Sequence, residues 1–222
     1  MSHNGLVREF RDRRDAGEQL ASRLAVFAGE SPVVVGLPRG GVVVAAVVAE
    51  ALHAPLDVIV VRKLGVPSQP ELGMGAVGEG GVIVRTEPVI QAARVTPEQF
   101  DAVVARERGE VARRAERFRG DRAPVSLAER TVIVVDDGIA TGGTARAALE
   151  VVRAQGARRV VLAVPVAPPE TVRDLAAVAD EVVCLEAPGW FQAVGLHYAD
   201  FTQTTDDDVI ELLHYRPGSH GD

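Results

Sequence analysis

The sequence contains one cysteine, Cys184, and few aromatic residues, which make up 4% of its 222 residues. A single thiol can form neither an internal disulfide nor a cysteine-based metal cluster. Long apolar runs are also lacking, since the longest, residues 41–49, ends at Glu50 and is far shorter than the ~20 residues of a transmembrane helix. Residues 1–20 are charged and lack the apolar stretch of a signal peptide. We therefore expect a cytoplasmic protein without a membrane partner.

An excess of positive charge is absent as well. The formal net charge is -7, which argues against general attraction to nucleic acid, and no helix-turn-helix pattern is present. The first predicted strand, residues 33–36, is not followed by a G-x-G-x-x-G motif, which argues against a dinucleotide-binding domain. Hydrophobic residues make up 47% and charged residues 25%, as is usual for a folded globular chain. Residues 1–222 are predicted to form a single domain without a nucleic-acid partner.

Short β-branched runs alternate with helical stretches along the chain. Strands are predicted at residues 33–36, 56–62, 131–135, 159–164 and 181–185, and helices at residues 15–28, 42–52, 145–154 and from Pro168-Pro169 onward. This order predicts an α/β fold, in which a Rossmann-like parallel sheet is flanked by helices on both faces.

Two stretches depart from this repeat. Residues 65–122 are predicted as an insertion, with a hairpin at residues 74–85 and a helix over Thr96–Arg119 that Thr96 caps. The glycines and prolines of its first part indicate a flexible, irregular loop, and the arginines of its helix are predicted to form a solvated face. Residues 188–222, aromatic and then acidic, form a separate C-terminal segment, in which Asp206–Asp208 are predicted to start a solvated helix.

The segment VIVVDDGIATGGT, Val132–Thr144, carries the clearest chemistry. A buried strand delivers Asp136 and Asp137 to the carboxyl edge of the sheet, where open α/β proteins bind ligands. Adjacent carboxylates suit a vicinal diol, such as that of a ribose. The glycine- and threonine-rich loop that follows offers backbone amides, hydroxyls and a helix N-terminus to an anion. A sugar phosphate satisfies both halves of the segment.

The segment resembles the motif by which type I phosphoribosyltransferases bind phosphoribosyl pyrophosphate (PRPP). Residues 62–81, RKLGVPSQPELGMGAVGEGG, are also similar to a set of uncharacterised bacterial phosphoribosyltransferase-like proteins, and that similarity extends along nearly the whole chain. The resemblance implies that Asp136 and Asp137 hold the ribose hydroxyls. The PRPP loop that it implies comprises Gly138, Ile139, Ala140, Thr141, Gly142, Gly143 and Thr144, with residues 140–144 around the 5′-phosphate.

A second loop, Gly36–Gly41, resembles the pyrophosphate loop of the same family. The resemblance implies that the leaving pyrophosphate is bound by Pro38, Arg39, Gly40 and Gly41, and by a basic pair after the second strand, Arg62 and Lys63. Family members often have a non-proline cis peptide in this loop, which here falls at Pro38–Arg39. Together with the acid pair, Arg39 and Lys63 are the predicted catalytic residues.

The acceptor side of the reaction is less defined. The C-terminal segment is expected to act as a hood, in which Trp190 or Phe191 stacks on an acceptor ring or merely anchors the tail to the core. Enzymes that act on 6-oxopurines have an acid in the phosphate loop, whereas this chain has Ala140.

The resemblance implies Mg²⁺-dependent transfer of phosphoribosyl from PRPP to a nucleobase-like nitrogenous acceptor, with release of pyrophosphate. A non-catalytic PRPP-binding sensor or regulator is the alternative. The acceptor, the metal ligands and a homo-oligomeric state stay open.

Overall fold

The computed structural model describes residues 10–214, and a five-stranded parallel sheet lies at its centre. In chain order the strands are β1 (Val33–Gly36), β2 (Leu56–Val58), β3 (Val61–Val66), β4 (Gln69–Gly78), β5 (Ile83–Arg85), β6 (Thr131–Val135), β7 (Arg159–Val166) and β8 (Glu181–Glu186). The central sheet has the order β2-β1-β6-β7-β8 and is parallel throughout. The predicted fold class is thereby confirmed.

Seven α-helices occur within the described residues. They are α1 (Arg13–Leu24), α2 (Gly40–Ala51), α3 (Glu87–Ala92), α4 (Pro97–Arg119), α5 (Gly143–Ala154), α6 (Pro169–Leu175) and α7 (Asp206–His214). The first helix is shorter than predicted, because Ala25–Glu30 continue it as a 3₁₀ turn. Thr96 caps α4 as predicted, in a capping box with Gln99.

The two faces of the sheet are buried by different helices. Alternate residues of β1, such as Val34, pack with α1 and α2, whereas Val33 and Val35 pack with α5 on the other face. This division follows from the period of two in a strand, and it explains the continuous apolar runs of the central strands, such as residues 33–35 and 132–135. Because β1 and β6 are parallel neighbours, the helices that follow them, α2 and α5, start at the same edge of the sheet.

The prediction of one strand over residues 56–62 was wrong. β2 ends at Val58, and β3 begins at Val61 in a separate antiparallel sheet of order β3-β4-β5. Ile59 still donates its amide to Gly36 O at 3.1 Å, while the Val60 amide donates to Glu79 Oε1 at 3.0 Å. The apolar run looks continuous in the sequence because it remains buried as the chain passes from one sheet to the other.

The irregular backbone predicted for the first part of the insertion was also wrong, since its residues form β3 and β4, while its flexibility stays a prediction. β3 and β4 pair across a two-residue turn at Pro67-Ser68, with irregular register beside Gly65. A Cβ on Gly65 would lie 2.3 Å from Pro70 O, so this glycine permits a close approach of the two strands. The predicted hairpin is present as the antiparallel pair β4 and β5.

The solvated face predicted for the α4 arginines needs a correction as well. Arg119 is 6% exposed and Glu107 8% exposed. Arg119 Nε donates to Asp57 Oδ1 at 2.8 Å, its Nη2 donates to Val58 O at 2.7 Å, and its Nη1 pairs with Glu79. The end of α4 is therefore fixed to β2 by a buried charge cluster.

Candidate active site

The two loops singled out in the sequence lie side by side. β1 and β6 are parallel neighbours whose last residues, Gly36 and Val135, are paired, so both loops leave the same carboxyl edge. Leu37 donates its amide to Val135 O at 2.9 Å, which ties the start of one loop to the end of the other strand. The chain runs from β1 outward to β2 and later returns to β6 on the opposite side, so this edge is the topological switch point of the sheet.

Two glycines at the start of α2 bring this helix against the acid pair. A Cβ on Gly40 would lie 1.9 Å from Asp137 Oδ2, and one on Gly41 would lie 2.8 Å from the Cα of Asp136. Both distances are shorter than those at which a real Cβ atom approaches another atom, so neither position has room for a side chain. The Gly40-Gly41 pair thus allows the pyrophosphate-type loop and the acid pair to form one surface.

The two carboxylates differ in their surroundings. Asp136 Oδ1 accepts the Asp137 amide at 2.9 Å, and burial raises the pKa of Asp136 well above its usual range, with the adjacent Asp137 charge adding to the increase. Asp137 Oδ2 instead accepts a hydrogen bond from Arg13 Nε at 2.7 Å. The pair therefore combines a carboxyl group that resists ionisation with one that faces a guanidinium.

Arg13 is a site residue that sequence reasoning missed. It is the first residue of α1 and lies 124 residues before Asp137 in the chain. In the sequence it is one of several arginines in the run Arg11–Asp15, and nothing in that run distinguishes it from its neighbours. Its contact arises only when α1 packs beside α2.

The C-terminal segment contacts Asp137 and the loop that follows it. The Tyr198 hydroxyl donates to Asp137 O at 2.5 Å, and burial raises the pKa of this phenol. A Cβ on Gly138 would lie 2.4 Å from Val194 Cγ1, so this segment packs directly on the loop. Tyr198 also forms an isolated parallel bridge with Phe10.

The loop of residues 138–144 ends as the N-terminus of α5. Gly142 precedes the helix with φ +77°, a left-handed conformation that favours glycine. Thr171 Oγ1 donates to Ala140 O at 2.9 Å, and the Ile139 amide donates to Val166 O at 3.0 Å. These bonds hold the first part of the loop, at Ile139 and Ala140, and within the described residues the amides of residues 140–142 donate to no protein acceptor. The loop is thus preorganised to bind an anion.

The other loop has the expected backbone, because the Pro38–Arg39 peptide is cis. The Arg39 side chain is 37% exposed and lies 3.5 Å from the carboxylate of Asp206. Asp206 also forms an ion pair with Arg117, whose Nε lies 2.8 Å from Asp206 Oδ2. The predicted helix start at Asp206 is confirmed, but this residue pairs with two arginines rather than facing solvent alone.

The remaining basic pair lies in β3 and makes contacts within the insertion. Arg62 Nε lies 3.0 Å from Glu107 Oε2, and Lys63 Nζ donates to Glu71 O at 3.0 Å. The contacts of both side chains thus run to the insertion rather than to the two loops. Their role at a pyrophosphate stays a prediction.

The predicted acceptor residues have different environments. Trp190 is 76% exposed, whereas Phe191 stacks on His197 with ring centroids 5.3 Å apart. His197 is buried, and burial lowers its pKa, so the imidazole is neutral near pH 7. Phe191 thus packs against another residue of the same segment, whereas the indole of Trp190 is exposed, and stacking of either ring on an acceptor stays a prediction.

Comparison with known proteins supports the resemblance found in the sequence. Residues 12–199 match the family model of the phosphoribosyl transferase domain. A Mycobacterium tuberculosis protein provisionally named a phosphoribosyl transferase is 55% identical over 204 residues, which cover 92% of this chain and 46% of that protein. The chain thus spans about half the length of this curated relative.

Two further matches differ in extent. A uracil phosphoribosyltransferase of Sinorhizobium medicae is 39% identical over 97 residues, covering 44% of this chain and 39% of that protein. The sequence of TT1426 from Thermus thermophilus, a protein with a known crystal structure, is 50% identical to this chain. The two structures match with a TM-score of 0.86 over 92% of this chain and 97% of that one. In the described part of the chain, none of the helices has the length and apolarity to span a bilayer. The chain belongs to the phosphoribosyl transferase family.

Proposed function

We propose that this protein transfers the phosphoribosyl group of PRPP to a nitrogenous, nucleobase-like acceptor and releases pyrophosphate. The observation that carries the proposal is the arrangement of three elements at one edge of the sheet. The acid pair, the N-terminus of α5 and the Arg39 loop follow adjacent parallel strands, β6 and β1. PRPP contains a vicinal diol, a 5′-phosphate and a pyrophosphate, and each of these groups matches one element.

The acid pair is assigned to the ribose hydroxyls. Carboxylate oxygens accept hydrogen bonds from both hydroxyls of a diol, and such charge-assisted bonds are stronger than neutral ones. Asp137 Oδ2 is engaged by Arg13, which leaves Oδ1 as the acceptor oxygen for a sugar.

The loop of residues 138–144 is assigned to the 5′-phosphate. Its amides, its threonine hydroxyls and the positive end of the α5 dipole are all suited to a dianion. Its anchoring by Thr171 and Val166 means that phosphate binding requires little additional ordering of the backbone.

The Arg39 loop is assigned to the pyrophosphate, and Mg²⁺ fits the same region. The described residues contain no cluster of three or more side chains that could hold a metal by themselves. Mg²⁺ typically binds one or two carboxylates together with substrate phosphates and water, a donor set that Asp136 and Asp137 suit. When bound, the ion would neutralise charge on the leaving pyrophosphate, while Arg39 and the α2 N-terminus stabilise that charge from the protein side.

Titration calorimetry with PRPP in the presence of Mg²⁺ tests the donor half of the proposal. The wild-type protein is expected to bind, and Asp137→Asn to bind about 10- to 100-fold more weakly, because a charged hydrogen bond contributes about 1.5–3 kcal/mol. Unchanged affinity would show that the acid pair is misassigned. No binding by the wild type would refute the proposal.

Pyrophosphate release tests the acceptor half. The screen begins with uracil, which the name of one relative suggests, and continues through purines, other pyrimidines and pyridine carboxylates. Turnover with any of these supports the transferase. PRPP binding without turnover across the set would favour a sensor or regulator.

A further inference from the structure

Two arginines from distant parts of the chain meet at one carboxylate beside the candidate active site. Asp206 Oδ1 lies 3.5 Å from Arg39 Nη1, and Asp206 Oδ2 lies 2.8 Å from Arg117 Nε. Each oxygen of the carboxylate thus faces a different guanidinium. Arg39 belongs to the loop assigned to the pyrophosphate, whereas Arg117 lies in the last turn of α4, within the insertion.

The backbone that carries Arg117 is held on both sides of the helix end. The next residue, Phe118, is 1% exposed and packs in the same apolar cluster as Val209 of α7. Arg119 Nε donates to Asp57 Oδ1 at 2.8 Å, which ties the end of α4 to β2. The Arg117 side chain is itself 61% exposed. Arg117 therefore combines a fixed backbone with a guanidinium that an anion can reach from solvent.

The pyrophosphate of PRPP carries several negative charges, and one guanidinium balances only part of them. The side chains of Arg62 and Lys63 make their contacts within the insertion rather than at the Arg39 loop. Arg117, by contrast, already shares an anionic partner with Arg39. An anion that takes the place of the Asp206 carboxylate would therefore lie within reach of both guanidiniums, and guanidinium groups are well suited to phosphate oxygens.

We propose that Arg117 is a further pyrophosphate-binding residue, which contacts the ligand together with Arg39 when the pyrophosphate displaces the carboxylate of Asp206. The inference rests on the proposed function, because that function assigns Arg39 to the pyrophosphate. In the free protein, Asp206 offsets the repulsion between the two guanidiniums and so keeps them close together. The insertion helix then takes part in the donor site directly, through its last turn.

Calorimetric titration with magnesium pyrophosphate compares the wild type with Arg117→Met, which removes the charge, and with Arg117→Lys, which keeps it. Arg117→Met is expected to bind on the order of fivefold more weakly, because the contact is charge-assisted but largely exposed. Arg117→Lys should recover part of this affinity. Arg117→Gln provides the same comparison if the methionine variant does not fold.

Arg113→Met is the matched control. Arg113 is an exposed arginine one turn earlier in α4, where it pairs with Glu110. Its removal changes the net charge by the same amount and should leave the affinity for magnesium pyrophosphate unchanged. An equal loss in Arg113→Met and Arg117→Met would overturn the inference, since net charge alone would then explain both.

The Asp206→Asn background separates a direct contact from an indirect effect. Without Arg117, the Asp206 carboxylate pairs with Arg39 alone and competes more strongly with the ligand, which would weaken binding without any contact to Arg117. Asparagine at position 206 removes that competition. A further loss of affinity when Arg117→Met is added to Asp206→Asn supports the direct contact, and equal affinities of the single and double variants would overturn it.

Ribose 5-phosphate and PRPP separate this inference from the proposed function. Ribose 5-phosphate has the diol and the 5′-phosphate but no pyrophosphate, so Arg117→Met should bind it as the wild type does. Weakening of ribose 5-phosphate as large as that of magnesium pyrophosphate would overturn the inference. If the wild type binds PRPP and Arg117→Met binds it equally well, Arg117 alone is misassigned. Failure of the wild type to bind PRPP would refute the proposed function and this inference with it.

Discussion

The carboxylate of Asp206 lies 3.5 Å from the guanidinium of Arg39, the side chain assigned to the pyrophosphate. Asp206 is the first residue of α7, and it also forms an ion pair with Arg117 of α4. The C-terminal helix and the insertion helix therefore meet at the loop between β1 and α2. A bound pyrophosphate would be a second anionic partner of Arg39. Asp206 and the pyrophosphate would then compete for the same guanidinium.

Asp206→Asn is expected to strengthen pyrophosphate binding modestly. The Arg39 side chain is 37% exposed, and exposed pairs contribute about 0–1 kcal/mol, so the gain in affinity should not exceed about fivefold. Calorimetric titration with magnesium pyrophosphate measures it. Asp207→Asn is the control, since it removes the same charge from the exposed neighbouring position. An equal gain in both variants would show that net charge alone is responsible.

Gly40→Ala is expected to destabilise the protein, whereas Gly143→Ala is not. Both glycines are the first residues of helices at the same sheet edge. A Cβ at Gly40 would overlap Asp137 and Arg13, while one at Gly143 meets nothing within 4 Å. Overpacking typically costs about 1–3 kcal/mol, and alanine at an unstrained site is neutral or slightly stabilising. The melting temperatures of the two variants, measured by thermal unfolding, test this prediction. Equal melting temperatures for Gly40→Ala and Gly143→Ala would contradict the described packing.

Much of the site could be predicted because its signals are local. The acid pair and the anion loop lie within short segments whose residue types restrict their chemistry, whereas the cis peptide at Pro38–Arg39 was expected from the resemblance to the family. The parallel sheet also followed from the alternation of strands and helices. Each of these features depends on residues that are close together in the chain.

The parts that were missed depend on contacts between distant residues. Arg13 meets Asp137 across 124 positions, and Arg119 meets Asp57 across 62. The sequence alone does not distinguish an arginine that is buried in an ion pair from one that faces water. An irregular backbone was predicted where β3 and β4 form, because glycine and proline mark irregular backbone and close strand contacts equally well.

Asp136→Asn is expected to gain stability relative to the wild type as the pH rises. Burial raises the pKa of the folded Asp136 carboxyl above that of the unfolded chain. The neutral form therefore stabilises the fold fully below the unfolded pKa, about 3.9, and this contribution is lost as the pH rises through the folded pKa. Asparagine stays neutral and can still accept the Asp137 amide.

The measurement is the difference in melting temperature between Asp136→Asn and the wild type from pH 4 to pH 9. That difference should move in favour of the variant over this range. Asp101→Asn, which changes an exposed carboxylate on α4, is the control. Parallel curves for Asp136→Asn and the wild type would mean that Asp136 is not desolvated in solution.

Arg119→Met is expected to be strongly destabilising. Its loss leaves Asp57, which is 2% exposed, and the nearby Glu79 without their cation. Removing one partner of a buried ion pair typically costs about 3–5 kcal/mol. Arg113→Met removes a surface pair with Glu110 on the same helix and should cost no more than about 1 kcal/mol. Urea unfolding measures both, and similar losses would indicate that the Arg119 cluster is hydrated.

The fluorescence of Trp190 should report acceptor binding directly, because it is the chain's single tryptophan and its side chain is 76% exposed. The free protein should emit at the wavelength of a water-exposed indole. Stacking of an acceptor ring on Trp190 removes water from one face, so the emission should be quenched and shifted to shorter wavelength. Candidate bases are titrated in the presence of pyrophosphate, with Trp190→Phe supplying the signal-free control. Phe191→Ala should instead lower the melting temperature, since Phe191 stacks on the buried His197. A base that is turned over without any change in Trp190 emission would exclude this indole from the acceptor site and leave the acceptor to other residues of the hood.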